Sequence, residues 1–244
     1  MSIHRIRIPE VVIPGKRLGR HIHIDDRSDA YPAETAAQLV SVTHRSAGLP
    51  LNQQETSSCT AHAVCGALNA IPHWAAGQPT LGEPDCYAVY SDEEVLEGFG
   101  PYPPNDQGGS GTEVCQAAKN RGWIFEYQHA ADIHSALLAV VPRPAIFGMN
   151  WFTSFDSPDA NGYIEIAPGA TVRGGHEVCA IGLDAQNERI WFVNSWGTEY
   201  GVAHGDIPGG CFCMSFNTLA ALFDQGADCT VPRTLKGWVA SPLN

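Results

Sequence analysis

The chain changes character near Ala131, and no other feature of the sequence limits its possible folds as much. Upstream, small and apolar residues fall in helix-compatible runs. The segment SSCTAHAVCGALNA opens with Ser57 and Ser58 as capping candidates and is closed by Pro72, which places Cys59 in a first helical turn. A second helix is expected over Ser91–Leu96, with Asp92, Glu93 and Glu94 where the helix dipole favours anions. A third spans Thr112–Arg121 and ends at Gly122, and PYPPNDQGGSG between the two is loop. Downstream comes one more helix, Ile133–Val141, stopped by Pro142. The apolar runs then shorten to strand length: Ala145–Trp151, Tyr163–Ile166, Glu177–Leu183, Arg189–Val193 and Cys211–Phe216. A last short helix is expected at Thr218–Phe223 behind Asn217. Helices first and strands later read as an α+β protein, with a helical lobe at 49–130 and a β lobe at 131–244.

Residues 1–48 are rich in Pro, Arg, His and Asp and show little periodicity, so they are expected to form an arm rather than core. Arg5–Ile8 and Val11–Ile13 are its candidate edge strands. Within Met1–Arg20, five basic residues (Arg5, Arg7, Lys16, Arg17, Arg20) face Glu10 alone, whereas the whole chain carries a net charge of −12. A basic arm on an acidic body is expected to pack against that body. The same negative balance argues against a nucleic-acid partner, because phosphate binding needs clustered Lys and Arg. With 44% apolar residues the chain can bury a sizeable core. No run reaches the roughly 20 apolar residues of a membrane span, and the start lacks the apolar core of a secretory signal. The expectation is a monomer in the cytoplasm with no membrane partner. The eight cysteines are scattered, and in that compartment they are expected to be buried or free thiols.

Four residues carry the chemistry. A thiolate rather than a thiol attacks a carbonyl, so a catalytic cysteine needs local positive potential, which a helix N-terminus supplies. Cys59 has that position; by itself it reads more readily as a small buried hydrophobe. Gln53, six residues upstream, can bring an amide back over the helix start and cradle an oxyanion together with the Cys59 main-chain N–H. GGHEVCAIGL puts His176 at a strand start, and FVNSWG puts Asn194 at the end of the next strand-like run. Two neighbouring strands can therefore present an imidazole and an amide side by side, the arrangement of nucleophile, base and orienter needed for covalent acyl transfer.

QQETSSCTAHA, GGHEVCAIGL and WFVNSWGTEYG resemble the cysteine, histidine and asparagine segments of papain-like cysteine peptidases. The last is the most specific, through Asn194, Ser195, Trp196, Gly197 and Gly201. YSDEEVLEGFG and NDQGGSGTEVCQAAKNRGW are similar to two further segments of the family, so the resemblance covers roughly residues 49–238. It implies a two-lobed papain-like fold, with a helical lobe and an antiparallel β-barrel-like lobe flanking a cleft. It implies hydrolysis of a peptide or protein substrate through a Cys59 thioester, without a cofactor or metal. It also implies that Gly108 and Gly109 line the cleft and bind substrate and that Trp196 covers the His176–Asn194 pair; Gly175, just before His176, leaves a small position beside the nucleophile and is a further substrate-binding candidate.

Three departures accompany the resemblance. His176 follows Cys59 by 176 − 59 = 117 residues, fewer than the roughly 130–150 usual in the family, which implies a shortened segment between the lobes. Thr60 stands where eukaryotic members usually carry Trp, and SCTA resembles bacterial members, so a bacterial or phage-encoded origin is expected. Thr56, Gly98 and Asp106 stand where bridging cysteines would align. The arm is too short for a long helical propeptide and is expected to lie near the cleft and restrain activity. Two functional alternatives keep the fold, a peptide-binding pseudoenzyme and a transpeptidase-like acyl transferase. A metal site assembled from His21, His23, Asp25 and Asp26, from His62 with Cys65, or from Cys211, Cys213 and Cys229 would lack a full ligand spacing.

Overall fold

A computed structural model describes residues 4–24 and 32–235, so Asp25, Asp26 and the last part of the resemblance to 238 lie outside the described residues. The elements run β1 (His4–Arg7), β2 (His21–Ile24), β3 (Val42–Thr43), α1 (Cys59–Leu68), α2 (Glu83–Leu96), α3 (Gly111–Asn120), β4 (Glu126–Ala130), α4 (Ile133–Val140), β5 (Ala145–Phe152), β6 (Val172–Asp184), β7 (Arg189–Val193), β8 (Val202–His204), β9 (Ile207–Ser215), α5 (Phe216–Phe223) and β10 (Asp228–Arg233). The fold class is α+β, as expected. No described helix is long and apolar enough to cross a membrane.

The helices begin where their caps dictate, with two corrections. Helix α2 starts at Glu83, not at Ser91. Gly82 is its N-cap, Pro84 sits in the first turn, and the Gly82 N–H donates to Asp85 Oδ2 at 2.8 Å. Helix α5 starts at Phe216 because the Ser215 hydroxyl, rather than Asn217, accepts from the Thr218 N–H at 3.0 Å. Ser110 caps α3 by accepting from the Glu113 N–H. All ten residues of α1 are buried, as expected of a helix with no polar face.

An eight-stranded sheet runs β4-β10-β5-β6-β7-β9-β8, with β3 added against β6. The expected strand at Tyr163–Ile166 is a single bridge from Tyr163 to Cys213. β6 extends upstream to Val172, so His176 lies inside a strand rather than at its start. Side chains alternate across β6 and divide it between two cores. Val178, Ala180 and Leu183 join a core of the β lobe with Phe147, Phe192 and Phe212, whereas Cys179 and Ile181 join a core of the helical lobe with Val64, Leu68 and Val89.

The arm is not peripheral. β1 and β2 pair antiparallel, β3 pairs with Gly182 and Leu183, and Leu18 is fully buried in the β-lobe core. The weak periodicity of residues 1–48 has a physical reason: the segment packs as single inserted side chains along extended backbone, a pattern without a repeat. Val11–Ile13 forms no strand, although the Val11 N–H donates to Arg173 O at 2.7 Å.

Candidate active site

Cys59 is the first residue of α1 and is completely buried. Ser58 precedes it with no capping side-chain bond; its hydroxyl instead meets His62 Nδ1 at 3.1 Å and Thr56 Oγ1 at 2.6 Å. The helix therefore leaves its first N–H groups, and the partial positive charge they carry, on the side where the sulfur sits. The main-chain N–H of Glu177, the residue after His176, bonds to the Cys59 sulfur. The nucleophile candidate and the β6 strand are thus in contact.

On β6, His176 Nε2 and Asn194 Oδ1 are 2.7 Å apart. The same oxygen accepts the Ser195 main-chain N–H at 2.8 Å. Because a main-chain N–H can only donate, that atom must be the carboxamide oxygen, so the ring nitrogen facing it must be the protonated one. His176 Nδ1 is then a bare lone pair, buried and without a hydrogen-bond partner among the described residues. The Trp196 ring stacks on the imidazole with centroids 5.0 Å apart, and Trp151 meets it edge-on at 4.8 Å. Both indoles pack against the imidazole that bonds Asn194.

Gln53 is fully buried and reaches the same corner from the helical side. Its Oε1 accepts from Ser195 Oγ at 2.6 Å and its Nε2 donates to Thr56 O at 2.7 Å. The carboxamide is pinned with its NH2 toward the turn that leads into Cys59. Ser195 is a positioning residue that sequence reasoning passed over: its N–H orients Asn194 while its hydroxyl orients Gln53. Its place inside Asn-Ser-Trp-Gly was the available signal.

The three glycines expected to bind substrate all touch the arm. The Gly109 N–H donates to Gly19 O at 2.9 Å, and the His21 N–H donates to Gly109 O at 2.6 Å. Gly175 O accepts the N–H groups of Gly19 and Arg20 at 3.1 and 3.0 Å. Gly108 adopts a φ of +86°, and a side chain there would collide with Gly19 O. Trp196 Nε1 donates to Arg17 O at 3.0 Å. Residues 17–21 therefore lie as an added strand between the lobes, held by main-chain bonds on both edges.

In comparisons with known proteins, no family model and no curated protein sequence matches the chain. Solved structures do. Xylellain, a cysteine protease from Xylella fastidiosa, superposes with a TM-score of 0.65 over 93% of this chain and 100% of its own, at 18% identity. Digestive procathepsin L 3 of Tenebrio molitor larval midgut gives 0.57 over 83% and 73% at 14% identity. A cysteine protease of Carica candamarcensis, in complex with E-64, gives 0.54 over 79% and 99% at 15% identity. The fold is that of the papain-like cysteine peptidases.

Within this papain-like fold the candidate site is closed, with Cys59, His176, Gln53 and Asn194 all buried. Burial pushes the Cys59 thiol well above its usual range; the Glu177 N–H opposes this, and the carboxyl groups of Glu177, Glu93 and Glu10 add to it. Burial likewise pushes His176 down to about 3, against the raising effect of Asn194 and with a further lowering by Arg173. Burial thus opposes charge on both members of the pair. All eight cysteines are free and buried, and no group of three His, Cys, Asp or Glu among the described residues is placed to hold a metal ion.

Proposed function

We propose that the chain is a cysteine peptidase held latent by its own N-terminal arm. The observation that carries the reading is the tautomer of His176. Its Nε2–H is committed to Asn194, its Nδ1 lone pair is unpartnered, and the next residue's N–H touches the Cys59 sulfur. In this reading Nδ1 takes the Cys59 proton and the sulfur attacks the peptide carbonyl. The Gln53 carboxamide and the Cys59 N–H stabilise the oxyanion. The imidazolium then protonates the leaving amine, and water, deprotonated by the same ring, releases the acyl group from the thioester.

In this reading the arm supplies the burial that opposes charge on the pair. While residues 17–21 fill the cleft, the sulfur and the ring are dry, and desolvation favours both neutral forms. Displacing or cleaving the arm admits water and substrate, which restores the thiolate–imidazolium pair. Hydrolysis of a fluorogenic peptide is expected to be weak in the intact chain and to rise after limited proteolysis of the arm, with iodoacetamide at pH 6 then labelling Cys59 ahead of the other seven thiols. His176→Ala is expected to abolish both effects. Equal labelling of several cysteines, or hydrolysis that survives Cys59→Ser, would overturn the reading.

A further inference from the structure

The loop between α2 and α3 presents one carboxyl group to the turn that leads into Cys59. Asp106 Oδ1 accepts the main-chain N–H of Ser57, two residues ahead of the sulfur, at 2.7 Å. The same oxygen accepts the Tyr90 hydroxyl at 2.8 Å, and that hydroxyl in turn accepts the Gly108 N–H at 2.9 Å. Because main-chain N–H groups can only donate, the direction of every bond in this series is fixed. Burial first, then nearby Asp106 and Glu94, holds the Tyr90 phenol well above its usual value and keeps it a donor. Glu94, one turn further along α2, accepts the N–H groups of Gln107 and Gly108 at 2.6 and 3.1 Å. The loop that carries Asp106 is thus anchored to a helix of the body.

What Asp106 holds is a peptide unit. The Ser57 N–H and the Thr56 carbonyl belong to one planar peptide and point to opposite sides of it, so fixing one direction fixes the other. The Thr56 carbonyl is the acceptor that pins Gln53 Nε2 at 2.7 Å. An amide NH2 carries two protons, and this bond takes one of them. The direction of the second proton, the one a developing oxyanion would meet, therefore follows the tilt of the Thr56–Ser57 peptide. Within the turn, the Thr56 N–H and hydroxyl both return to Gln53 O, at 3.2 and 2.7 Å, which fixes the shape of the turn. Arg17 of the arm braces it from outside, donating to Glu55 O at 2.9 Å and Ser57 Oγ at 3.0 Å. That brace departs with the arm, whereas Asp106 belongs to the body.

We propose that Asp106 is a positioning residue for the oxyanion donor: acting through the Thr56–Ser57 peptide, it aims the free proton of Gln53 Nε2 once the arm has left. The kinetic consequence rests on the peptidase reading. A carboxyl oxygen suits the task because its two lone pairs serve Ser57 and Tyr90 together. An asparagine at this position keeps both bonds, and a leucine of similar shape keeps neither.

Two measurements on the full-length chain test the proposal. In the first, kcat and KM are compared after limited proteolysis has released the arm. Asp106→Ala, or Asp106→Leu should the alanine variant not fold, is expected to lower kcat about tenfold or more with KM nearly unchanged, and Asp106→Asn to recover most of that loss. In a chain that already carries Gln53→Ala, the same substitution is expected to change kcat by no more than about twofold, because the group that Asp106 aims is gone. Equal losses in the two backgrounds, or a loss confined to KM, would overturn the role of Asp106 and leave the peptidase reading intact. The second measurement needs no catalysis. In the intact chain carrying Arg17→Ala, exchange of the Gln53 side-chain amide protons with water is followed by NMR. Adding Asp106→Ala is expected to speed that exchange about tenfold or more, and adding Asp106→Asn to leave it slow. Exchange indifferent to Asp106 would overturn its role. A chain that hydrolyses no peptide would overturn the peptidase reading, and the exchange rates would then decide the role of Asp106 by themselves.

Discussion

At the scale of single residues, the site depends on polar atoms whose orientation is fixed by main-chain groups whose hydrogen-bonding roles cannot reverse. The Ser195 N–H fixes Asn194, Asn194 fixes the His176 tautomer, and the Thr56 carbonyl, which can only accept, fixes Gln53. Gln53→Ala is therefore expected to lower kcat of the arm-freed enzyme by about 10²- to 10³-fold with little change in KM, because an oxyanion donor acts only in the transition state. A loss confined to KM would remove it from that role. A second expectation concerns His73, which is buried, held through Nδ1 by the Thr234 hydroxyl at 2.9 Å and pushed down to about 3, by burial first and by nearby positive charge next. A histidine lowered in the folded state contributes stability that is present above its unfolded value near 6.5 and is lost as pH falls toward the folded value. Each such residue steepens the loss by about 1.4 kcal/mol per pH unit in that window. In thermal melts from pH 6.5 to 4, His73→Gln is expected to flatten the fall of Tm relative to the parent chain. An unchanged slope would show that His73 is not held neutral.

At the scale of elements, legibility in the sequence followed the distance over which each contact acts. The C-terminal ends of α3 and α4 were readable because Gly122 and Pro142 act within a few residues, as were the central runs of β5 and β7. The start of α2 was not, because Gly82 caps it with a main chain alone and gives no side-chain signal. β4 and β10 were missed because they are strands only through distant pairing, β4 with β10 across about a hundred residues and β10 with β5 as well. The catalytic candidates carried motif signals and the arm was expected near the cleft, but the residues that seat the arm were not readable. Arg20 meets Asp228 across 208 residues, and Leu18 stands alone among polar neighbours. That single anchor yields a test. Leu18→Ala removes a fully buried side chain at a loss of about 2–5 kcal/mol, enough at the lower limit to raise the arm-open fraction by about thirtyfold. Faster alkylation of Cys59 alone is expected, followed by mass spectrometry under native conditions. Equal acceleration at all eight thiols would mean that Leu18 supports the whole fold rather than the arm.

At the scale of the whole molecule, the question is whether two lobes on either side of a cleft behave as two units. Their chemistry is divided, with Cys59 on one and His176 on the other, and a cleft invites independent opening. The sheet argues otherwise. β6 gives alternate side chains to both cores, and α1, the most buried helix, packs directly against β6. Neither core can dissolve without exposing one face of the strand that the other core needs, so the lobes are coupled through shared backbone rather than through an interface that can part. Leu68→Ala in the helical-lobe core and Leu219→Ala in the β-lobe core each vacate a fully buried site and each remove about 2–5 kcal/mol. Both are expected to lower one common calorimetric transition, with the van't Hoff and calorimetric enthalpies remaining equal. Two transitions, each moved by only one of the variants, would show that the lobes fold separately and that β6 does not bind them together. The coupling also bears on latency. If the body unfolds as one unit, the proposed latency rests on the arm rather than on a loosened lobe, and release of the arm is the event expected to expose Cys59.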